Sequence, residues 1–418
     1  MKSWTATAVP VLDGVAPPLT VHDTSSGRRV TLEPEGTAGL YVCGITPYDA
    51  THIGHAATYV TFDLVVRQWR DAGHEVTYVQ NVTDVDEPLL ERAQRDGVDW
   101  QVLAAQETEL FRHDMESLNV LPPQHFVGAV EGIPDDVAAV EQLLADGAAY
   151  VLPPNGEDGA DVYLDVVHQR GFGRVSGWDR EEMLEVFAER GGDPERPGKR
   201  DPLDPLLWRA ERSGEPAWPG GSLGPGRPGW HIECTTIALR HLGMGFEVKG
   251  GGTDLIFPHH EMSSVQAEAL TGEEPFAQAY VHQAMVGYQG QKMSKSVGNL
   301  VLVSRLRRAG VDPMVVRLVL LTQHYRTPWE WTEELMAPAE DRLRRWRAAA
   351  DRAVPATLLS HLRERLADDL DAPGAVAAVD GWLAAGAGQD ADPAAGGRPA
   401  RLAEVTDALL GVRLDGGT

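Results

Sequence analysis

A short apolar run closed by glycine, Gly39 to Gly44 (GLYVCG), leads into His52-Ile53-Gly54-His55 and then into helical apolar spacing from Ala56 to Asp71. A β-rich run from His74 to Gln80 ends in a polar turn, so the unit reads as strand, helix, strand. The same alternation returns late in the chain: a helix from about Ile232 to His241, a strand near Phe246 to Lys249, a helix from about His259 to Leu270 and a strand near Tyr280 to Val286. Strands that alternate with helices are joined by crossovers, which predicts a parallel sheet covered by helices. Two such halves lying far apart in sequence predict an α/β, Rossmann-like domain split by an insertion.

The boundaries follow from local composition. The first half is expected over residues 1–105, an inserted subdomain over 106–228, the second half over 229–299, and a C-terminal helical bundle over 300–418. The insertion carries helix signals and then Gly- and Pro-rich stretches, PPNGEDG and GSLGPGRPG. After Asn299 the chain turns helical and Ala/Arg-rich, broken near 384–400 by the low-complexity run AAGAGQDADPAAGGRPA, which reads as a linker.

Charge and cysteine usage exclude several classes. Lys plus Arg number 37 against 62 Asp plus Glu, a net charge of −25, the wrong sign for gripping a phosphate backbone over a broad surface. Only two cysteines occur, Cys43 and Cys234, too few for a disulfide framework. Met1 to Thr20 has no apolar core behind a basic start, and no run approaches the roughly 20 apolar residues of a membrane span. The expectation is a cytoplasmic protein, without membrane contact, acting as a monomer.

Three motifs carry chemistry. His52-Ile53-Gly54-His55 opens a helix directly after a strand, where imidazoles and free N–H groups would face an anion such as phosphate. Gly250-Gly251-Gly252-Thr253-Asp254 follows another strand, where backbone can approach a ligand and the carboxylate can bond ribose hydroxyls. Lys292-Met293-Ser294-Lys295-Ser296 is flanked by Gly287, Gly290 and Gly298, so two ammonium groups ride on a loop that can close over a leaving pyrophosphate. Each motif alone is weak, since two surface histidines, a Gly-rich turn or a solvated lysine pair would look the same. Their order along a split parallel sheet resembles that of the class I aminoacyl-tRNA synthetases.

Cys43 ends the first strand, Cys234 falls in the first turn of a helix, and His259 begins another. All three are expected beside sheet edges that converge on one cleft. Two thiolates and an imidazole would fill three corners of a zinc tetrahedron and leave the fourth for a substrate thiolate, which distinguishes cysteine from serine or valine. Buried inert thiols and a satisfied histidine are the bland alternative.

More closely, YVCGITPYDATHIGH (41–55), NVTDVD (81–86), GWHIEC (229–234), GGGTDLIFPHHE (250–261), QKMSKSVGN (291–299) and HYRTPWEWTEE (324–334) resemble the cysteinyl-tRNA synthetases. The resemblance implies His52, His55, Lys292, Lys295 and magnesium acting on the phosphates of ATP. It implies Cys43, Cys234 and His259 on one zinc ion. Thr46, Asn81, Thr83 and Trp230 are implied around cysteine, Thr58 at the nucleotide or adenylate, and Asp254 with the backbone near Gly252 and Val286 at ribose and adenine. Gly44, Ile45, Val82 and Thr253 complete the implied lining.

Two departures stand out. In the synthetases a glutamate four residues beyond the zinc histidine completes the site, whereas this chain has Ser263; Glu261 and Glu268 lie at other helical angles. Only about 120 residues follow Asn299, leaving little room for an anticodon-reading domain. With Glu189 to Pro194 (ERGGDP), otherwise a polar turn, these departures resemble the cysteine ligases of mycothiol biosynthesis. That family joins L-cysteine to the amine of glucosaminyl-inositol with ATP, and the resemblance implies no tRNA partner. A short cysteinyl-tRNA synthetase and an inactive zinc- or nucleotide-binding paralogue are the alternative readings.

Overall fold

Five strands, most of their residues buried, carry the main sheet of the computed structural model: β1 (Ala38–Ile45), β2 (Val76–Val82), β3 (His125–Gly128), β4 (Phe246–Gly252) and β5 (Ala277–Gln283). The structure describes residues 1–153, 159–293, 300–386 and 399–415. All pairings in this sheet are parallel, in the spatial order β3-β2-β1-β4-β5. The chain builds outward from β1 on one side, then returns to β4 and builds outward on the other. Parallel strands end at one edge, and the reversal between β1 and β4 opens a crevice there, the usual ligand position in such sheets.

Helix α1 (Ile53–Asp71) leaves β1 and packs along the sheet with Ile53, Phe62, Val65 and Trp69 buried. Helices α2 (Trp230–His241) and α3 (Glu261–Thr271) belong to the second half, α2 starting two residues earlier than its apolar spacing suggests. Cys234 therefore sits in the second turn of α2. A kinked turn, Ile256–His260, precedes α3, with Phe257 extended at φ −134° and ψ 136°, so His259 lies in that turn and not in the helix proper.

The stretch read as an insertion holds more than an insert. A helix, Trp100–Ser117, runs through the boundary placed at 105/106, and β3 joins the main sheet. Its four residues are too few to show a period, which hid the strand in sequence. A separate antiparallel sheet of Ala149–Leu152, Asp161–Leu164, Leu206–Ala210 and Gly226–Pro228 follows, and we propose 149–228 as the inserted unit.

Val286 is not in β5, which stops at Gln283. It belongs to a small sheet in which Val286–Tyr288 pairs antiparallel with Gln291–Lys292 and parallel with Trp329–Glu330. The HYRTPWEW segment thus braces the base of the loop containing Lys292. The C-terminal region is helical, and its Ala372–Ala385 and Leu402–Leu410 helices flank a linker of which 387–398 lie outside the described residues.

That region is fixed to α1 by charge. Asp63, Arg67 and Arg317 are all buried; Arg67 Nε donates to Asp63 Oδ2 at 2.7 Å, and Arg317 donates to the same oxygen. Arg317 also donates to the carbonyls of Leu118 and Leu410, each at 2.7 Å, which ties three chain segments together. Burial alone would raise the Asp63 carboxyl, but the two guanidiniums outweigh it and hold it below its ordinary range. No described helix is long and apolar enough to cross a membrane.

Candidate active site

The crevice between β1 and β4 is lined from residues far apart in sequence. Gly44, near the end of β1, donates its N–H to Asn81 Oδ1 at 2.8 Å, and Asn81 Nδ2 donates to Thr83 Oγ1 at 3.1 Å. A Cβ at Gly44 would stand 1.6 Å from the Asn81 carbonyl oxygen, so no other residue lets these strand ends approach. Ile45 and Val82 pair in the sheet and are buried in the core, which leaves only their backbone to meet a ligand. Gly250 has the same kind of constraint, its absent Cβ replaced by the ring of Phe62 at 2.3 Å. Gly252 ends β4 and begins the turn Thr253–Leu255, where Asp254 is half-buried.

His52 is the N-cap of α1. Its Nδ1 accepts from the N–H groups of Gly54 and His55 at 3.1 and 3.3 Å, so the ring proton sits on Nε2. His55 stacks on it with ring centroids 3.8 Å apart. Thr58, one turn on, donates to the Gly54 carbonyl at 3.2 Å. The chain leaving the loop is hydrogen-bonded across this turn: Ile53 N–H donates to Val301 at 2.9 Å and Val303 N–H to Thr51 at 3.0 Å. The start of α1 and the segment 301–303 are joined at this point. Lys292 closes the short Gln291–Lys292 strand, while Lys295, with residues 294–299, lies outside the described residues.

Cys43, Cys234 and His259 converge as the sequence reading expects. One ligand atom from each lies within 4.8 Å of the others, and all three residues are buried. Zinc holds sulfur at about 2.3 Å and nitrogen at about 2.0 Å, so donor atoms at this mutual spacing can close on one ion. Burial is the largest influence on both thiols, yet Cys43 is lowered by Cys234 and the Lys249 charge, while burial and Cys43 raise Cys234. A soft, thiolate-forming donor set of this kind fits zinc.

Partners that the sequence reading did not single out orient these ligands. His231 Nδ1 meets His259 Nδ1 at 3.0 Å, which frees His259 Nε2 for a metal. His260 Nε2 meets Cys43 Sγ at 3.2 Å, His282 Nε2 meets His260 Nδ1 at 2.8 Å, and Thr24 Oγ1 meets His282 Nδ1 at 2.6 Å. A thiolate only accepts, so with Cys43 ionised every donor in this chain points toward sulfur. Burial pushes His231 and His260 well below their ordinary value and His282 down to about 3, which keeps the rings neutral. In sequence, His231 and His260 are marked by adjacency to the ligand motifs, GWHIEC and FPHHE, whereas His282 lies in neither. Trp230 stacks on His259 with centroids 4.4 Å apart, closing one wall.

Ser263, four residues beyond His259, donates its Oγ to the His259 carbonyl at 2.7 Å, turned back onto its own backbone. Glu261 is engaged elsewhere, accepting from the N–H groups of Gly173, Val175 and Ser176 at 2.8, 3.0 and 2.7 Å. Among the described residues the cluster has three members. From the insert, Arg190 of ERGGDP donates to the carbonyls of Asp254 and Phe257, clasping the turn that carries both Asp254 and His259.

Residues 30–341 match the family described as tRNA synthetases class I (C) catalytic domain. The L-cysteine:1D-myo-inositol 2-amino-2-deoxy-alpha-D-glucopyranoside ligase of Geodermatophilus obscurus is 60% identical over 100% of both chains. The ligase of the same description from Streptomyces griseus is 58% identical over 99% of this chain and 100% of its own. Among solved structures, Mycobacterium tuberculosis methionyl-tRNA synthetase in complex with methionyl-adenylate superposes with a TM-score of 0.61 at 16% identity, covering 84% of this chain and 82% of that one. An Agrobacterium radiobacter leucyl-tRNA synthetase complex does so with a TM-score of 0.57 at 11% identity, covering 90% and 83%. These last two speak for the shared fold. With its catalytic domain matched over most of its length and its relatives matched end to end, the chain belongs to the class I synthetase family and, within it, to the L-cysteine:1D-myo-inositol 2-amino-2-deoxy-alpha-D-glucopyranoside ligases.

Proposed function

We propose that this chain activates L-cysteine as an adenylate with ATP and transfers the cysteinyl group to the amine of glucosaminyl-inositol, giving an amide, AMP and pyrophosphate. The observation that carries the cysteine part is the convergence of Cys43, Cys234 and His259 beside the crevice edge that also holds His52 and Gly252. The acceptor follows from the relatives matched over their whole length.

Zinc held by Cys43, Cys234 and His259 would supply a Lewis-acid corner that takes the substrate sulfur as a thiolate. Trp230 and Thr46 shape the space around cysteine, with Asn81 and Thr83 as its polar wall. Asp254 and the backbone near Gly252 and Val286 orient ribose and adenine, with Thr58 close to the nucleotide. The cysteine carboxylate then attacks the α-phosphorus in line. His52 donates from Nε2 to the phosphates; His55, Lys292, Lys295 and the magnesium that accompanies ATP help offset charge on the departing pyrophosphate. In the second half-reaction the neutral amine attacks the adenylate carbonyl and AMP leaves. These residues bind and orient, and none forms a covalent bond.

A cytoplasmic location and independence from tRNA are part of the same reading. The net charge of −25 supports the latter. Purified protein is expected to form the amide when given cysteine, ATP and glucosaminyl-inositol, and to leave tRNA uncharged with radiolabelled cysteine. The reverse result would make it a short cysteinyl-tRNA synthetase, and absence of cysteine-dependent ATP–pyrophosphate exchange would make it an inactive paralogue.

A further inference from the structure

Lys249 is fully buried in β4, directly opposite Tyr41 of β1 in the parallel register. Residues two apart in a strand share a face, so Tyr41, Cys43 and Lys249 all point to the side covered by α2 and its Cys234. Among the described residues the buried Lys249 Nζ has no hydrogen-bond partner. The ammonium lies 4.6 Å from the Tyr41 ring centroid and 5.2 Å from that of Phe276. A buried ammonium with no hydrogen-bonded anion is costly, and aromatic faces return only part of that cost. Such a group is expected to have an anionic counterpart in the working protein.

The metal site supplies one. A zinc ion holding two cysteine thiolates, a neutral imidazole and a substrate thiolate carries one surplus negative charge, since Ser263 replaces any fourth protein ligand. We propose that Lys249 is a positioning residue for the substrate sulfur, its buried ammonium balancing the charge that the third thiolate brings and so favouring thiolate over neutral ligands in the open corner. This rests on the zinc reading above. It gives the selectivity for cysteine a second cause, outside the ligands themselves.

The test uses full-length protein loaded with cobalt(II) in place of zinc, because thiolate binding to cobalt is read directly as a charge-transfer absorption. Wild type is expected to develop the added band on titration with cysteine. Lys249→Met, of similar volume and uncharged, is expected to load cobalt to the same stoichiometry but to need about 10- to 100-fold more cysteine, the range typical for groups supporting a metal site. In pyrophosphate exchange its KM for cysteine should rise by a similar factor, with kcat held within about 3-fold. Should Lys249→Met fail to fold, Lys249→Gln carries the same comparison. Cysteine titrations within about 2-fold of wild type in a folded, cobalt-loaded variant would overturn the proposal and leave Lys249 as packing against Tyr41 and Phe276. A wild-type protein that shows no thiolate band would overturn the metal reading itself.

Discussion

His231 and His259 face each other Nδ1 to Nδ1 at 3.0 Å, so one of these nitrogens carries a proton and the other accepts it. If His259 Nε2 binds metal, its proton must sit on Nδ1 and be donated to His231. Replacing His231 by alanine removes the acceptor without touching a ligand. Chelator competition should show metal affinity weakened about 10- to 100-fold in a folded protein, and unchanged affinity would show that the contact does not orient His259.

Cys234→Ala removes one of three ligand atoms from a buried cluster while leaving α2 intact. Metal content should fall to background and cysteine-dependent pyrophosphate exchange should be lost, with the circular dichroism spectrum retained. Zinc retained at full stoichiometry would show that Cys234 is a packing thiol.

Gly44→Ala places a methyl group 1.6 Å from the Asn81 carbonyl oxygen, and backbone on both sides must move to admit it. Overpacking of this kind costs about 3 kcal/mol, a loss that urea unfolding measures. Cysteine activation should drop with it, because Asn81 and Thr83 are the polar wall of the pocket in the function proposed above.

Asp63→Asn leaves Arg67 and Arg317 buried without their anion, which typically costs about 3–5 kcal/mol at pH 7. The pH dependence has a definite sign. Because the folded carboxyl is held below its unfolded value, its stabilisation is fully present above pH about 4 and is lost as pH falls through the folded value. Stability measured across the acid range should therefore fall less steeply in the asparagine variant than in wild type.

Arg190→Ala releases the carbonyls of Asp254 and Phe257 from the insert's clasp. A slight shift of that turn displaces both Asp254, the carboxylate proposed for ribose, and the turn leading to His259, so kcat/KM for ATP should fall about 10- to 100-fold. An unchanged value would confine ERGGDP to surface structure. Read as a sequence, the segment was only a polar turn, since nothing local shows that its arginine reaches across to another chain segment.

Much of the frame was legible because it is local. The apolar run to Cys43, the spacing of α1 and the alternation from Ile232 onward each repeat within a few residues, and the strands and helices formed there. The short β3, HFVG, was missed for want of a repeat, and Val286 was assigned to β5 because nothing in YVHQAMVG marks where one sheet ends and the next begins.

By itself the sequence determined which chemistry was on offer: two cysteines, the HIGH and KMSKS lysines and histidines, and a serine where a fourth ligand would stand. Only the tertiary structure decided that Cys43, Cys234 and His259 meet, that His231, His260 and His282 back them, and that Lys249 is buried on the same face. The reason is geometric. Periodicity reports the direction a side chain takes from its own strand or helix, whereas distance across the crevice depends on the parallel order of β1 and β4 and on the backbone contact that Gly44 permits.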